Sequence, residues 1–197
     1  MAIYVVANNK GGSKKTATAI NLIPHLALDF VADLDKYHAL KKILEHGENP
    51  IEVRIPKTRQ EILDWADEDK NILIDCGGFD SDFTQAAISQ ADVVITPSND
   101  DPTEQLGLSD FNQTMANVSK MVGEKLVAKV VISGVHHSRS DFSMMKEFIG
   151  GLSHLELLPV VIPHSSKIPA AQFEGKPVMS GTIAAKFHLL AKSIKVD

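Results

Sequence analysis

The sequence predicts an α/β fold in which a mostly parallel sheet carries helices on both faces. Three observations lead there. Short apolar, β-branched runs alternate with helical patterns from the first residues onward. The runs lack polar alternation, as strands buried on both faces do. The segments between them are long enough for right-handed βαβ crossovers.

Residues 2–7 (AIYVVA) form the first such run. After a glycine-bearing turn, Lys15 to Leu28 carries Ala17, Ile20, Leu22, Ile23, Leu26 and Ala27 at helical spacing, with Pro24 as its one blemish. Residues 29–34 (DFVADL) read as a short strand ending in acids, and His38 to His46 as a helix stopped by Gly47. A short strand is expected over 51–55. Thr58 caps the next helix, with Glu61 as capping-box partner, up to about Asp67.

Asn71 to Asp75 (NILID) is the strongest buried strand pattern in the chain. Helix over 83–90, strand over 93–96 halted by Pro97, helix over 104–121, strand over 127–133 and helix over 142–152 follow. Residues 157–162 (LLPVVI) read as the last strand and 182–194 as the closing helix. No internal repeat, low-complexity tract or linker divides the 197 residues, so one domain over 1–197 is expected.

Composition narrows the function classes. Hydrophobic residues make up 44% and charged residues 23%, ordinary for a globular protein. Cys76 is the only cysteine, which excludes an internal disulfide and a multi-cysteine metal site. No signal-peptide pattern starts the sequence, and no apolar stretch approaches the roughly 20 residues that span a bilayer, so a cytoplasmic protein is expected. A net charge of −5 argues against whole-surface attraction to nucleic acid, although a local basic patch stays open.

Chemistry first enters at residues 8–17. A buried strand runs into a glycine-bearing turn and then a helix, which aims backbone N–H groups and a helix dipole at one point. Gly11, Gly12, Ser13, Lys14, Lys15, Thr16 and Ala17 would cradle phosphates, with Lys15 reaching the outer ones and the Thr16 hydroxyl ligating magnesium. The same residues would also make a plain glycine turn with exposed lysines, because short motifs recur by chance.

The segment resembles the deviant Walker A motif of the ParA/MinD family, K-G-G-x-G-K-T-[ST], a P-loop NTPase-like fold. Lys10, Gly11, Gly12, Lys15 and Thr16 match it. Lys14 stands where that motif has glycine, and Ala17 where it has Ser or Thr. If position 14 needs a positive φ, its lysine carries a steric cost. The resemblance implies that Lys10 reaches across a nucleotide-sandwich dimer to the partner's phosphates.

It also makes Asp75 the Walker B aspartate that holds the magnesium shell, a role its strand-end position suits. The following Cys76-Gly77-Gly78 resembles the switch segment. Asp33-Leu34-Asp35 resembles the motif D-x-D-P-Q, with Lys36 and Tyr37 replacing the last two residues. By resemblance Asp35 orients the attacking water and Asp33 assists the magnesium region; a pair of acidic loop residues is the equally weighted alternative. The stretch before this strand is several residues shorter than the family's. Residues 91–108 resemble the A-D-x-V-I-x-P-x-x-P segment and its helix. Residues 158–178 resemble the segment that lines the adenine pocket, with Pro163 as a contact.

The resemblance implies an ATPase of the partitioning or positioning kind. ATP and Mg2+ would join two protomers, the dimer would bind DNA non-specifically, and a ParB-like or other adaptor would stimulate slow hydrolysis. The alternative is an adaptor that kept the fold and lost hydrolysis, favoured by Lys14, Ala17 and the altered D-x-D-K-Y. No residue cluster calls for the small-molecule pocket of a related synthetase, and one cysteine cannot serve the related iron–sulfur reductases.

Other features carry ordinary readings. His136-His137 lacks a matched ligand set for a metal, and Cys76 reads as a small buried hydrophobe. Ile183, Ala184, Phe187, Leu190 and Ile194 form a stripe on the last helix. Core packing is expected of it, not the membrane binding of MinD-type tails. Lys167, Lys176, Lys186, Lys192, Lys195 and Arg139 are candidates for a DNA patch, against scattered surface charges.

Overall fold

All positions of β1 (Ala2–Val6) are buried, as its nearly continuous apolar run requires of a strand covered on both faces. It lies centrally, parallel to β4 (Asn71–Asp75) on one side and β5 (Val93–Ser98) on the other. With β2 (Phe30–Asp33), β3 (Glu52–Arg54), β6 (Ala128–Val135) and β7 (Leu155–Pro163) they form a seven-stranded sheet in the order β3-β2-β4-β1-β5-β6-β7. Every neighbouring pair is parallel, which meets the sequence expectation. The structure is a computed structural model and describes residues 1–48, 51–78 and 81–196.

Eight helices are described: α1 (Lys15–Leu22), α2 (Ala39–Glu45), α3 (Arg59–Asp64), α4 (Asp82–Ser89), α5 (Pro102–Val122), α6 (Ser143–Gly150), α7 (Lys167–Phe173) and α8 (Gly181–Ser193). The period-2 alternation of the strands divides the core. Ile3, Val5, Ile72 and Ile74 meet Ile62 of α3, Ala87 of α4, Phe111 of α5 and Ile149 of α6 on one face. Tyr4, Val6, Val31 and Leu73 meet Ile20 of α1, Leu44 of α2 and Phe187 and Leu190 of α8 on the other. The stripe on the last helix is therefore core, as expected. Among the described residues no helix is long and apolar enough to cross a membrane.

Four elements depart from the sequence reading. The first helix ends at Leu22 and passes into a 3-10 turn over Ile23–His25, because Pro24 supplies no N–H to continue it. β5 runs on through Pro97 to Ser98. At Pro97 the neighbour on the β1 side has already ended, so no ladder bond is lost; its carbonyl accepts from Asn8 Nδ2 at 3.1 Å. Thr58 caps α3, accepting from the Glu61 N–H at 3.2 Å, but the Glu61 carboxylate returns to the N–H of Lys57, not of Thr58. Helix α7 was not foreseen; its Pro169 lies in the first turn, where a missing N–H costs nothing.

The loop after α2 meets the loop between α7 and α8 backbone to backbone. A Cβ on Gly47 would lie 2.4 Å from the Gly175 carbonyl oxygen, and Gly175 itself has a φ of +66°. Gly47→Ala is expected to destabilise the fold by about 1–3 kcal/mol, through forced displacement of that backbone. Urea unfolding of the variant beside the natural chain checks it.

Candidate functional site

The site lies at the carboxyl ends of β1, β2 and β4, where three loops converge. After β1 the chain is pinned by Asn8, which is buried, gives its amide to Pro97 and accepts from the Lys10 N–H at 2.9 Å. Gly12 takes a φ of +79°, free of cost for a glycine. Lys14 also lies in the left-handed region, with φ 69° and ψ 20°, and is the N-cap of α1. For a residue with a Cβ that conformation costs about 1–2 kcal/mol. The conditional sequence expectation is met: position 14 does require a positive φ. No side chain caps α1, so its first N–H groups point outward as an anion site.

Lys15 is buried, and its ammonium curls back to donate to the Lys10 carbonyl at 2.9 Å and to Ser13 Oγ at 3.2 Å. Burial lowers its pKa, while the Asp75 carboxylate opposes that fall. Asp75 ends β4 with no exposure to solvent, and neither carboxylate oxygen has a hydrogen-bond partner. Burial pushes its pKa up to about 8; the Thr16 hydroxyl pulls it down, the neighbouring Asp33 adds to the rise, and Lys15 opposes it. An unsatisfied buried carboxylate is costly and calls for a function.

Asp33 and Asp75 are register partners on β2 and β4. Their chemistry differs. One Asp33 oxygen accepts from the Asp35 N–H and the other from the Lys41 N–H, each at 2.9 Å. Burial raises the Asp33 pKa, and those two amides hold the rise back. Its carboxylate thus orders the loop that carries Asp35. Asp35 accepts from the Tyr37 N–H at 2.8 Å. Gly77 lies against Asp35, with 3.7 Å from its would-be Cβ to the Asp35 Cα. Gly78 presses on the phosphate loop: a Cβ there would stand 3.0 Å from the Gly11 Cα. The Gly77-Gly78 turn therefore bridges Asp35 and Gly11.

Lys10 points away from Lys15. Its ammonium pairs with the buried Glu104 carboxylate and donates to Thr103 Oγ1 at 3.1 Å, and its stem lies against Gly107. Sequence reasoning missed Glu104 and Gly107. An acid in the first turn of a helix is ordinary dipole compensation and gave no signal. Pro163 lies apart from Asp75, in a cavity of about 150 Å³ lined by Lys14, Ala17, Gly134, Pro163, His164 and Ile168, among others.

Among the described residues no three His, Cys, Asp or Glu side chains converge on a metal. His136 and His137 are exposed and pack ring to ring, with centroids 4.3 Å apart. Cys76 is buried, and burial beside Asp75 pushes its thiol up, so it is an inert core residue. Two of the candidate DNA-patch cations are already paired, Lys176 with Glu174 and Arg139 with Asp100.

A family model described as the CobQ/CobB/MinD/ParA nucleotide binding domain matches residues 4–178. The chain belongs to that family. The ParA/MinD resemblance is thereby borne out, and within this family nucleotide binding is the shared property.

Solved structures share its fold. Cobyrinic acid a,c-diamide synthase from Mycobacterium smegmatis, with bound ATP analog and magnesium, superposes with a TM-score of 0.74 at 16% identity, with 98% of this chain and 93% of that one covered. MinD from Pyrococcus horikoshii, complexed with Mg-ADP, gives 0.70, 16%, 98% and 95%. A plasmid partition protein from Borrelia burgdorferi bound to AMPPNP gives 0.71, 13%, 98% and 98%. No curated protein sequence matches the chain.

The Asp75 environment sets a pH dependence for this family member without ligand. Well below its ordinary value of 3.8 the carboxyl is protonated folded or unfolded. Between its ordinary value of 3.8 and about 8 only the unfolded chain loses the proton, so stability falls as pH rises through that window. Asp33 adds a slope of the same sign. Asp75→Asn is expected to flatten most of the decline, read as urea midpoints from pH 4 to 8.

Proposed function

We propose that this chain, as one domain over residues 1–197, is an ATP-binding, slowly ATP-hydrolysing partitioning or positioning protein. In this reading it forms a nucleotide-dependent homodimer and binds DNA non-specifically. The observation that carries it is the buried, unpaired Asp75 carboxylate facing Lys15 and Thr16 at the mouth of the phosphate loop. Magnesium is held by one or two carboxylates together with phosphates and water, so a site without three converging acids suits it. When bound, the ion would neutralise phosphate charge.

The residues have separate tasks. The uncapped N–H groups of α1 and the loop of Gly11, Gly12 and Ser13 receive the phosphates. Lys15 is freed from the Lys10 carbonyl and Ser13 to meet the outer phosphates. Thr16 and Asp75 hold the magnesium shell. Asp35 orients the attacking water, steadied by Gly77 and by the loop that Asp33 orders. Lys10 leaves Glu104 to reach the partner protomer's phosphates. Pro163 lines the base pocket. A ParB-like or other adaptor would stimulate turnover in a cytoplasmic setting.

The left-handed strain at Lys14 favours a second reading, an adaptor that binds nucleotide without hydrolysing it. The two differ in phosphate release with and without DNA.

Calorimetry with MgATP is the first test. The natural chain is expected to bind, and Lys15→Ala to weaken binding at least about a hundredfold, from loss of a charge-assisted phosphate contact. Binding unaffected by that change would remove the phosphate-loop reading. Sedimentation velocity with MgATP tests assembly: the natural chain shifts from monomer to dimer, while Lys10→Ala binds ATP and stays monomeric. A Lys10→Ala dimer would refute the cross-protomer role.

A further inference from the structure

The replacement of glycine by Lys14 is matched by a second change in backbone on the far side of the cavity. Gly134, near the end of β6, has a φ of +79°, and the pairing of β6 with β7 shifts register between Ser133 and Val135. This is a bulge with a left-handed glycine, which bends the strand end. The Lys14 stem fills the room so made: a Cβ on Gly134 would come within 3.3 Å of Lys14 Cε and 3.9 Å of Cγ.

Two left-handed residues thus face each other. The stem leaves the phosphate loop toward Gly134 and forms a wall of the cavity that also holds Ala17, Pro163, His164 and Ile168. Ala17, Pro163, Ile168 and Phe187 give the cavity apolar surface, and Ser133, His164 and Gln172 add polar groups beside it, a mixture suited to a planar organic ring. Lys14 is exposed, and its ammonium has no ion-pair partner among the described residues.

We propose that Lys14, although it sits in the phosphate loop, binds nucleotide from the base side. Its ammonium donates to an acceptor atom of the base or ribose, across the space that Gly134 leaves open. An ammonium has donors only, so the contact selects for an acceptor edge. The inference rests on the nucleotide-site reading above and deepens it: position 14 is a base-reading residue of this chain.

The test compares two ligands by calorimetry in magnesium buffer, ATP and inorganic tripolyphosphate, which carries the phosphates without base or ribose. Lys14→Met keeps the stem and the backbone strain and removes only the charge. It is expected to weaken ATP about tenfold and tripolyphosphate less than about twofold, the size of one charged hydrogen bond. Equal weakening of both ligands would make Lys14 a phosphate ligand and overturn the proposal, as would unchanged ATP affinity.

Gly134→Ala supplies a second variant, expected to weaken ATP and spare tripolyphosphate by displacing the Lys14 stem. Equal loss of both ligands there would also count against the proposal. Lys15→Ala separates the two levels. If it leaves both affinities unchanged, or the natural chain binds neither ligand, the nucleotide-site reading has failed and this proposal falls with it.

Discussion

A carboxylate held out of water without a partner is the constraint around which this molecule is organised. Asp75 stands at the end of β4, in register with Val6 of β1 and Asp33 of β2, at the centre of the sheet's carboxyl edge. Two adjacent acids in a dry site repel one another, and at Asp75 the Thr16 hydroxyl and Lys15 oppose that effect. The surroundings respond unequally. Asp33 is satisfied by two backbone amides, whereas both Asp75 oxygens are left without a hydrogen-bond partner.

The loops above this edge come close together because glycines at the contacts carry no side chains. Gly78 lies on Gly11 and Gly107 on the Lys10 stem, each close enough that a Cβ would press on its neighbour. Those approaches bring the Gly77-Gly78 turn and the first turns of α5 onto the loop over residues 8–17. The loop's three lysines then part company: Lys10 docks on Glu104, Lys15 folds onto its own loop, and Lys14 crosses to Gly134. Three cations within six positions would repel if they pointed one way; here they are spread over three directions.

Much of the fold was legible locally. The strand over 71–75 and the Thr58 cap rest on patterns within a few residues, and both are found at those positions. The same logic failed where a neighbour decided the outcome. Pro97 reads as a strand stop, yet β1 ends before it and leaves no bond for it to break. Helix α7 is seven residues long with a proline inside, too short and irregular for periodicity to expose. Glu104 was invisible because nothing near it in sequence distinguishes a lysine dock from a helix-start acid.

By itself the sequence determined the alternation of buried strands and helices, the parallel sheet, and the presence of a glycine-bearing loop with lysines and a strand-end aspartate. These follow from side-chain periodicity and backbone preference, which act over a few residues. Only the tertiary structure decided which groups face the site. Lys10 and Glu104 are 94 positions apart, and Asn8 and Pro97 are 89. Asp33 and Asp75 meet only because β2 and β4 pair. Which carboxylate is satisfied and which is left open depends on what the folded chain brings within hydrogen-bonding distance, and that is not a local property.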